Sequence, residues 1–299
     1  PPTLNNCPAN LTLKTNDDGG ADCAVTLSYV PPTFSDNCDG TGPATLLSGP
    51  ASGTSLNTSG SPYTVVYTKT DLAGNPVLTN CTFTVTVQDD TKPLITCPGS
   101  LTVSNDAGQC GAIVTYPMPV ASDNCQMMGL DHISGGLSGS LFPVGTTSVV
   151  WMATDASNNT RLCTFQITVN DVQAPSISCP AQQTRNTDPN LCTAVATYAS
   201  PTVSDNCTPP TPAVSYQFSG ATTSAWQPGT GSGSAFNKGI TTVTLRATDA
   251  GGLTKTCTFR IIVLDAQAPA FSLCPTSQTL STASNSCSSN PVIYATPTA

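Results

Sequence analysis

Cysteine and aspartate are the residues through which this chain could do chemistry. Its 14 cysteines, spread over 299 residues, recur in a fixed order. A Cys-Pro pair stands at Cys7, Cys97, Cys179 and Cys274. A second cysteine follows an Asp/Asn/Gly-type turn at Cys23, Cys110, Cys192 and Cys287. A third ends Ser-Asp-Asn-Cys at Cys38, Cys125 and Cys207, and a fourth opens Cys-Thr-Phe at Cys81, Cys163 and Cys257. No Cys-x-x-Cys pair occurs and His132 is the single histidine, so zinc-finger spacing is absent. Disulfide formation is the better reading, and it places the chain outside the cytosol.

The 17 acidic residues are all Asp. In each copy three Asp-bearing elements are expected at one end: the entering linker, the Ser-Asp-Asn loop and the last hairpin turn. For the first joint these supply Asp89 and Asp90, Asp123, and Asp155 with Asn159; for the second, Asp171, Asp205 and Asp249. Oxygen-rich sets of this kind suit Ca²⁺, so calcium at the joints is the candidate cofactor. The competing reading is that each Asp caps its own turn, and there is no Glu to serve as a bidentate ligand. No catalytic residue is assigned. His132, in the variable segment Gly129-Leu130-Asp131-His132-Ile133, has no counterpart in the sibling copies and reads as an exposed loop histidine. Asp pairs that recur in every copy favour structure over acid–base work.

The elements that must position these residues are strands. The stretch Cys163 to Pro180 reads CTFQITVNDVQAPSISCP, and Cys163, Phe165, Ile167 and Val169 share one parity. Period-two alternation with β-branched and aromatic residues marks a strand with one buried face. The stretch recurs from Cys81 to Pro98 and from Cys257 to Pro275, so it is the joint of a tandem repeat. Length varies most between the third and fourth cysteines, which places the main insertions in the middle of each copy. The expected domains are 1–88, 89–170 and 171–264, followed by a partial copy over 265–299. Both ends fall inside the pattern. The expectation is a window from a longer array, or strands supplied by a neighbouring chain.

Inside the second copy, Ala112, Val114 and Tyr116 predict one buried strand face, and Val149, Trp151 and Ala153 another. With 26 Pro and 23 Gly, no window shows a convincing helical period. About seven short strands per copy predict an all-β chain of tandem immunoglobulin-like β-sandwiches joined by short linkers. A formal charge of −8 and scattered basic residues argue against nucleic acid, and no apolar run approaches the length of a membrane span.

Together, Cys-Pro, Ser-Asp-Asn-Cys, Phe142-Pro143-Val144-Gly145-Thr146-Thr147, Thr154-Asp155-Ala156-Ser157-Asn158 and Cys163-Thr164-Phe165 resemble the hyalin repeat (HYR) module. Copy one departs from this pattern with Thr58-Ser59-Gly60-Ser61-Pro62, and copy three with Phe236-Asn237-Lys238-Gly239. The resemblance implies extracellular, immunoglobulin-like, non-enzymatic modules associated with adhesion. The four-cysteine variety is similar to repeats of large bacterial surface proteins, including gliding and adhesion proteins of the Bacteroidetes.

Four cysteines allow three pairings per copy. Cys97 shares parity with Leu101 and Val103, and Cys163 with Phe165, so first with fourth is preferred: Cys7–Cys81, Cys97–Cys163 and Cys179–Cys257. The family points the same way. The remainder then pairs Cys23–Cys38, Cys110–Cys125 and Cys192–Cys207, although an extended strand between the two members would hold them apart. The variable middle of copy three carries Tyr216, Phe218 and Trp226. These are candidate ligand-stacking residues, or, in the preferred reading, an inner strand (Tyr216, Phe218) and a core plug (Trp226).

The expected function is a non-catalytic extracellular array acting as stalk or filament in cell-surface adhesion. Its partners would be neighbouring repeats or subunits and surface glycans or proteins. Two alternatives stand beside it: ligand- or glycan-binding accessory modules of a secreted enzyme, and a self-assembling filament subunit that exchanges strands between chains.

Overall fold

The computed structural model describes residues 1–270 and 277–282 with Ser284, Asn285 and Ile293. Most of the partial fourth copy, including Cys274 and Cys287, lies outside the described residues. The chain divides into two compact units, Pro1–Asp106 with Cys110–Asp171, and Ala107–Gln109 with Val172–Ala299. The first unit holds two β-sandwiches and the second holds one of the same plan.

The second sandwich shows how the sequence pattern becomes a fold. Leu101–Ser104 runs parallel to the last strand, Thr160–Asn170, with Leu101 opposite Ile167 and Val103 opposite Val169. Thr160–Asn170 pairs antiparallel with Gly145–Asp155, which pairs in turn with Met127–Ser134. Facing this four-stranded sheet are the ladder of Gly111–Val114 with Ser140–Pro143 and the shorter one of Leu94–Thr96 with Val120–Ser122. Alternation aims one parity of each strand inward. Cys163, Phe165, Ile167 and Val169 therefore meet Val149 and Trp151 from the same sheet and Ala112, Val114, Tyr116 and Phe142 from across it. Each large apolar side chain so buried contributes roughly 1.5–3 kcal/mol relative to exposure.

The first sandwich repeats the order as Leu11–Lys14, Cys81–Gln88, Tyr63–Thr68 and Thr45–Ser48. The third has Gln183–Asn186, Thr254–Leu264, Gly239–Thr248 and Ala213–Gly220, extended by the two-residue strand Gln227–Pro228. In every copy the first long-sheet strand is parallel to the last. The strands are thus those of an immunoglobulin-like sandwich, and among the described residues the one helical element is a short 3-10 turn at Thr58–Gly60.

One tie recurs that composition and spacing did not point to. Tyr116 donates its hydroxyl to the Gly136 carbonyl at 2.7 Å, Tyr198 to Thr230 at 2.7 Å and Tyr29 to Pro50 at 3.1 Å. The backbone N–H of each tyrosine reaches a serine hydroxyl on the same loop: Ser138, Ser232 and Ser52. The ring fills the core while its polar tip is satisfied, so the variable loop is anchored whatever its length. A Ser-Gly pair at Ser48-Gly49, Ser134-Gly135 and Ser219-Gly220 marks the neighbouring strand end. At Gly135, φ is +89° and an added Cβ would lie 2.6 Å from the Ser148 carbonyl oxygen, so only glycine fits without displacement.

Candidate functional site

Disulfides tie each sandwich across its first and last strands. Cys7–Cys81 and Cys97–Cys163 have Cα atoms 5.6 Å apart, and Cys179–Cys257 5.7 Å. Cys163 and Cys81 belong to the buried cores while their partners Cys97 and Cys7 are exposed, so these bonds tie each core to the surface where the sandwich closes.

The expected second-with-third pairing within a copy does not form. Cys23 bonds to Cys125, 102 residues away, with Cα atoms 4.5 Å apart, joining the first repeat to the second. Cys23–Cys38 and Cys110–Cys125 are thereby excluded. Cys192 is free while Cys207 is disulfide-bonded, which excludes Cys192–Cys207. Cys38, like Cys192, is free and exposed.

The reason is direction. Cys23 lies at the exit end of the first sandwich, its sulfur 3.3 Å from the Thr58 hydroxyl beside the loop whose Ser61 accepts from Val87 N–H. Cys38 lies at the entry end, where Asp39 accepts from Leu72 N–H in the turn that leads to Cys81–Gln88. One pass across an eight-residue strand covers about 25 Å, far beyond disulfide reach. Cys23, the second cysteine of the first copy, therefore faces Cys125, the third cysteine of the second. Asn124, beside Cys125, adds a hydrogen bond from its Nδ2 to the Asp22 carbonyl at 3.1 Å. Its place in every Ser-Asp-Asn-Cys was the signal that could have found this contact.

The same joint gathers carboxylates. Asp89 follows the last strand of the first repeat, and Asp123 sits in the Ser-Asp-Asn loop of the second. One carboxylate oxygen of each and the Cys125 sulfur lie within 4.8 Å of one another. Asp89 is only 7% exposed. Its Oδ1 accepts from Thr91 N–H at 3.0 Å and from the buried Thr15 hydroxyl at 3.3 Å, while its Oδ2 has no partner. Asp123 Oδ2 accepts from Cys125 N–H at 2.9 Å, and its Oδ1 is buried without a partner. Burial, reinforced by the charges of Asp123 and Asp155 against the opposing hydrogen bonds, raises the Asp89 carboxyl above its ordinary pKa.

The other members of the expected first set stand differently. Asp155 is fully buried, but both its oxygens serve its own turn, Oδ1 accepting from Ser157 and Asn159 N–H and Oδ2 from Asn159 Nδ2. Asn159 donates from its Nδ2 to the Asp89 carbonyl at 3.0 Å. Asp90 turns outward into an ion pair with Lys14 at 2.6 Å and leaves the set. Of the second set, Asp171 belongs to the first unit, and Asp205 and Asp249 to the second. Asp205 Oδ2 accepts from Cys207 N–H at 2.9 Å and Asp249 Oδ1 from Leu253 N–H at 2.8 Å. The other oxygen of each is buried without a hydrogen-bond partner.

The aromatic candidates separate. Phe218 is buried in the third core, 4.9 Å from Phe236 between ring centroids, so it cannot stack on a ligand. Tyr216, on the same strand, Ala213–Gly220, packs half-buried against that core. Trp226 does not plug the core. It lies half-buried beneath Arg246, whose guanidinium carbon is 4.1 Å from the ring centroid. His132 is not a loop residue either. It sits half-buried in Met127–Ser134, edge-on to Trp151 with centroids 5.1 Å apart.

A profile of the HYR domain matches residues 1–87, 88–169 and 170–263. Hyalin of Strongylocentrotus purpuratus is 31% identical over 219 residues, covering 71% of this chain and 17% of that protein. Hyalin of Lytechinus variegatus is 30% identical over 213 residues, 69% of this chain and 38% of its own length. The sushi, von Willebrand factor type A, EGF and pentraxin domain-containing protein 1 of Rattus norvegicus is 32% identical over 190 residues, 60% of this chain and 5% of its length. The chain thus spans well under half of each of these relatives. Among solved structures, a protocadherin gammaB7 EC3-6 fragment overlays with a TM-score of 0.34 at 16% identity, covering 88% of this chain and 73% of its own. Repeated strands, repeated cysteines and a profile match over nearly the whole length lead to one conclusion: the chain belongs to the HYR domain family.

Proposed function

We propose that this chain is a non-catalytic extracellular repeat array, acting as a stiff stalk or filament segment in cell-surface adhesion. The Cys23–Cys125 bond carries the reading. A linker alone leaves two sandwiches free to hinge. A linker and a disulfide, with Asn124 bonded to the Asp22 carbonyl and Asn159 to the Asp89 carbonyl, give the joint two covalent connections and little freedom between them. Reach then scales with repeat number, at roughly 35–45 Å per sandwich for strands of this length with loops and linker.

Dense disulfide use supports a location outside the cytosol. Among the described residues no helix is long and apolar enough to cross a membrane. Partners on this reading are neighbouring repeats and surface glycans or proteins. Cys38 and Cys192 stand at the third-cysteine and second-cysteine positions, those that join as Cys125 and Cys23 at the first joint, and on this reading they join further repeats through the same bond. The relatives named above are from animals, so a bacterial surface setting rests on the four-cysteine pattern alone.

Electron microscopy of the oxidised chain tests the proposal through the angle between the first two repeats. A narrow distribution that widens in Cys23→Ser/Cys125→Ser is expected. Equal breadth in both proteins would remove the stalk reading.

A further inference from the structure

We propose that Asp89 and Asp123 hold a calcium ion at the joint between the first two repeats. Each carboxylate spends one oxygen on its own loop, on Thr91 N–H and Cys125 N–H respectively, and leaves the other buried and unpartnered. Asp89, at 7% exposure, is too enclosed for water to compensate freely. The third atom of the cluster, Cys125 Sγ, is bonded to Cys23 and is no thiolate, so the anionic donors are oxygen only. Hard oxygen donors select calcium or magnesium over zinc, and the looser geometry of calcium suits ligands drawn from two separate repeats.

Neither the Lys14–Asp90 nor the Lys238–Asp265 ion pair involves the cluster. Asn124 Oδ1, on the residue after Asp123, is a third buried oxygen without a partner and supplies a neutral donor in the same loop. Asp155 does not join, because both its oxygens are committed to its turn. With two carboxylates and one amide the rest of the shell is water and backbone, which sets a dissociation constant of about 0.1–1 mM, the range of extracellular calcium modules.

Calcium chloride titrated into the full chain in metal-free buffer, read by calorimetry and by thermal unfolding, tests the site. The wild type is expected to bind in that range and to melt about 5 °C higher in excess calcium. Asp123→Asn should weaken this site at least tenfold. Its amide can still accept from Cys125 N–H, so without calcium it should melt no lower than wild type, which separates a lost ligand from a lost fold. Asp90→Asn should bind as wild type does. Identical calcium uptake by wild type and Asp123→Asn, or no calcium-dependent shift in the wild type, would overturn the assignment. The site stands apart from the stalk reading, since a hinge that stays mobile would leave these binding results unchanged.

Discussion

The Cys97–Cys163 and Cys23–Cys125 bonds use the same chemistry for opposite ends. The first runs from an exposed Cys97 to Cys163, at 1% exposure inside a core, and closes one sandwich. The second lies at half-buried positions and joins two sandwiches that are each already closed. One acts mainly on whether a repeat is folded, the other on how folded repeats are held. In the first two repeats the bonded cysteines therefore form two systems with different consequences of loss.

Removing the closing bond should cost most. Cys97→Ala/Cys163→Ala opens a 66-residue loop, and a loss of about 4 kcal/mol is expected in guanidinium unfolding of the oxidised protein. Cys23→Ser/Cys125→Ser should cost about 2 kcal/mol, because Cys7–Cys81 already restrains much of the same chain. Its larger signature is the widened inter-repeat angle. Thiol labelling draws the same line: Cys38 and Cys192 without reductant, Cys23 and Cys125 under mild reduction, Cys81 and Cys163 only on unfolding. If Cys163 were labelled as early as Cys125, the division into closing and joining bonds would fail.

Tyr116→Phe tests closure without a covalent bond. Loss of the 2.7 Å hydrogen bond to Gly136 should cost about 1 kcal/mol and leave the joint angle unchanged.

The smallest effect belongs to the joint and has a definite sign. Asp89, buried and faced by Asp123 and Asp155, has a raised pKa in the folded protein. The native state then holds the proton more tightly than the unfolded chain, and stability falls as pH rises from the ordinary carboxylate range through the raised value. In metal-free buffer Asp89→Asn should abolish that fall and melt slightly higher at neutral pH. Asp18 and Asp71 act in the opposite sense. Hydrogen bonds from Gly20 and Thr26 to Asp18, and from Asn75 to Asp71, lower their pKa values. Their contribution is present above the ordinary carboxylate pKa and is lost as pH falls through the lowered one. Thermal melts across this range in the three Asp→Asn variants would separate the two behaviours.

Strand parity was legible because it is local. Val149, Trp151 and Ala153 had to share a face, as did Cys163, Phe165 and Ile167, whatever the rest of the chain did. The recurrence of joints, the all-β class and the gathering of Asp at repeat ends followed from patterns within about twenty residues. Less local features were not legible. The 15-residue interval from Cys23 to Cys38 measures chain length, and chain length does not say that the backbone crosses the sandwich and leaves the two cysteines at opposite ends. Asp89 and Asp90 are neighbours of the same type just beyond the strand Cys81–Gln88, yet one turns inward beside Asp123 and the other outward to Lys14. Trp226 and His132 likewise took their places from partners distant in sequence, Arg246 and Trp151. The sequence by itself determined the strands, the repeat and which residues could bond. Which copy each cysteine reaches, and which carboxylate lacks a partner, depended on the packing of one sandwich against the next, because both are distances across a joint that no local period encodes.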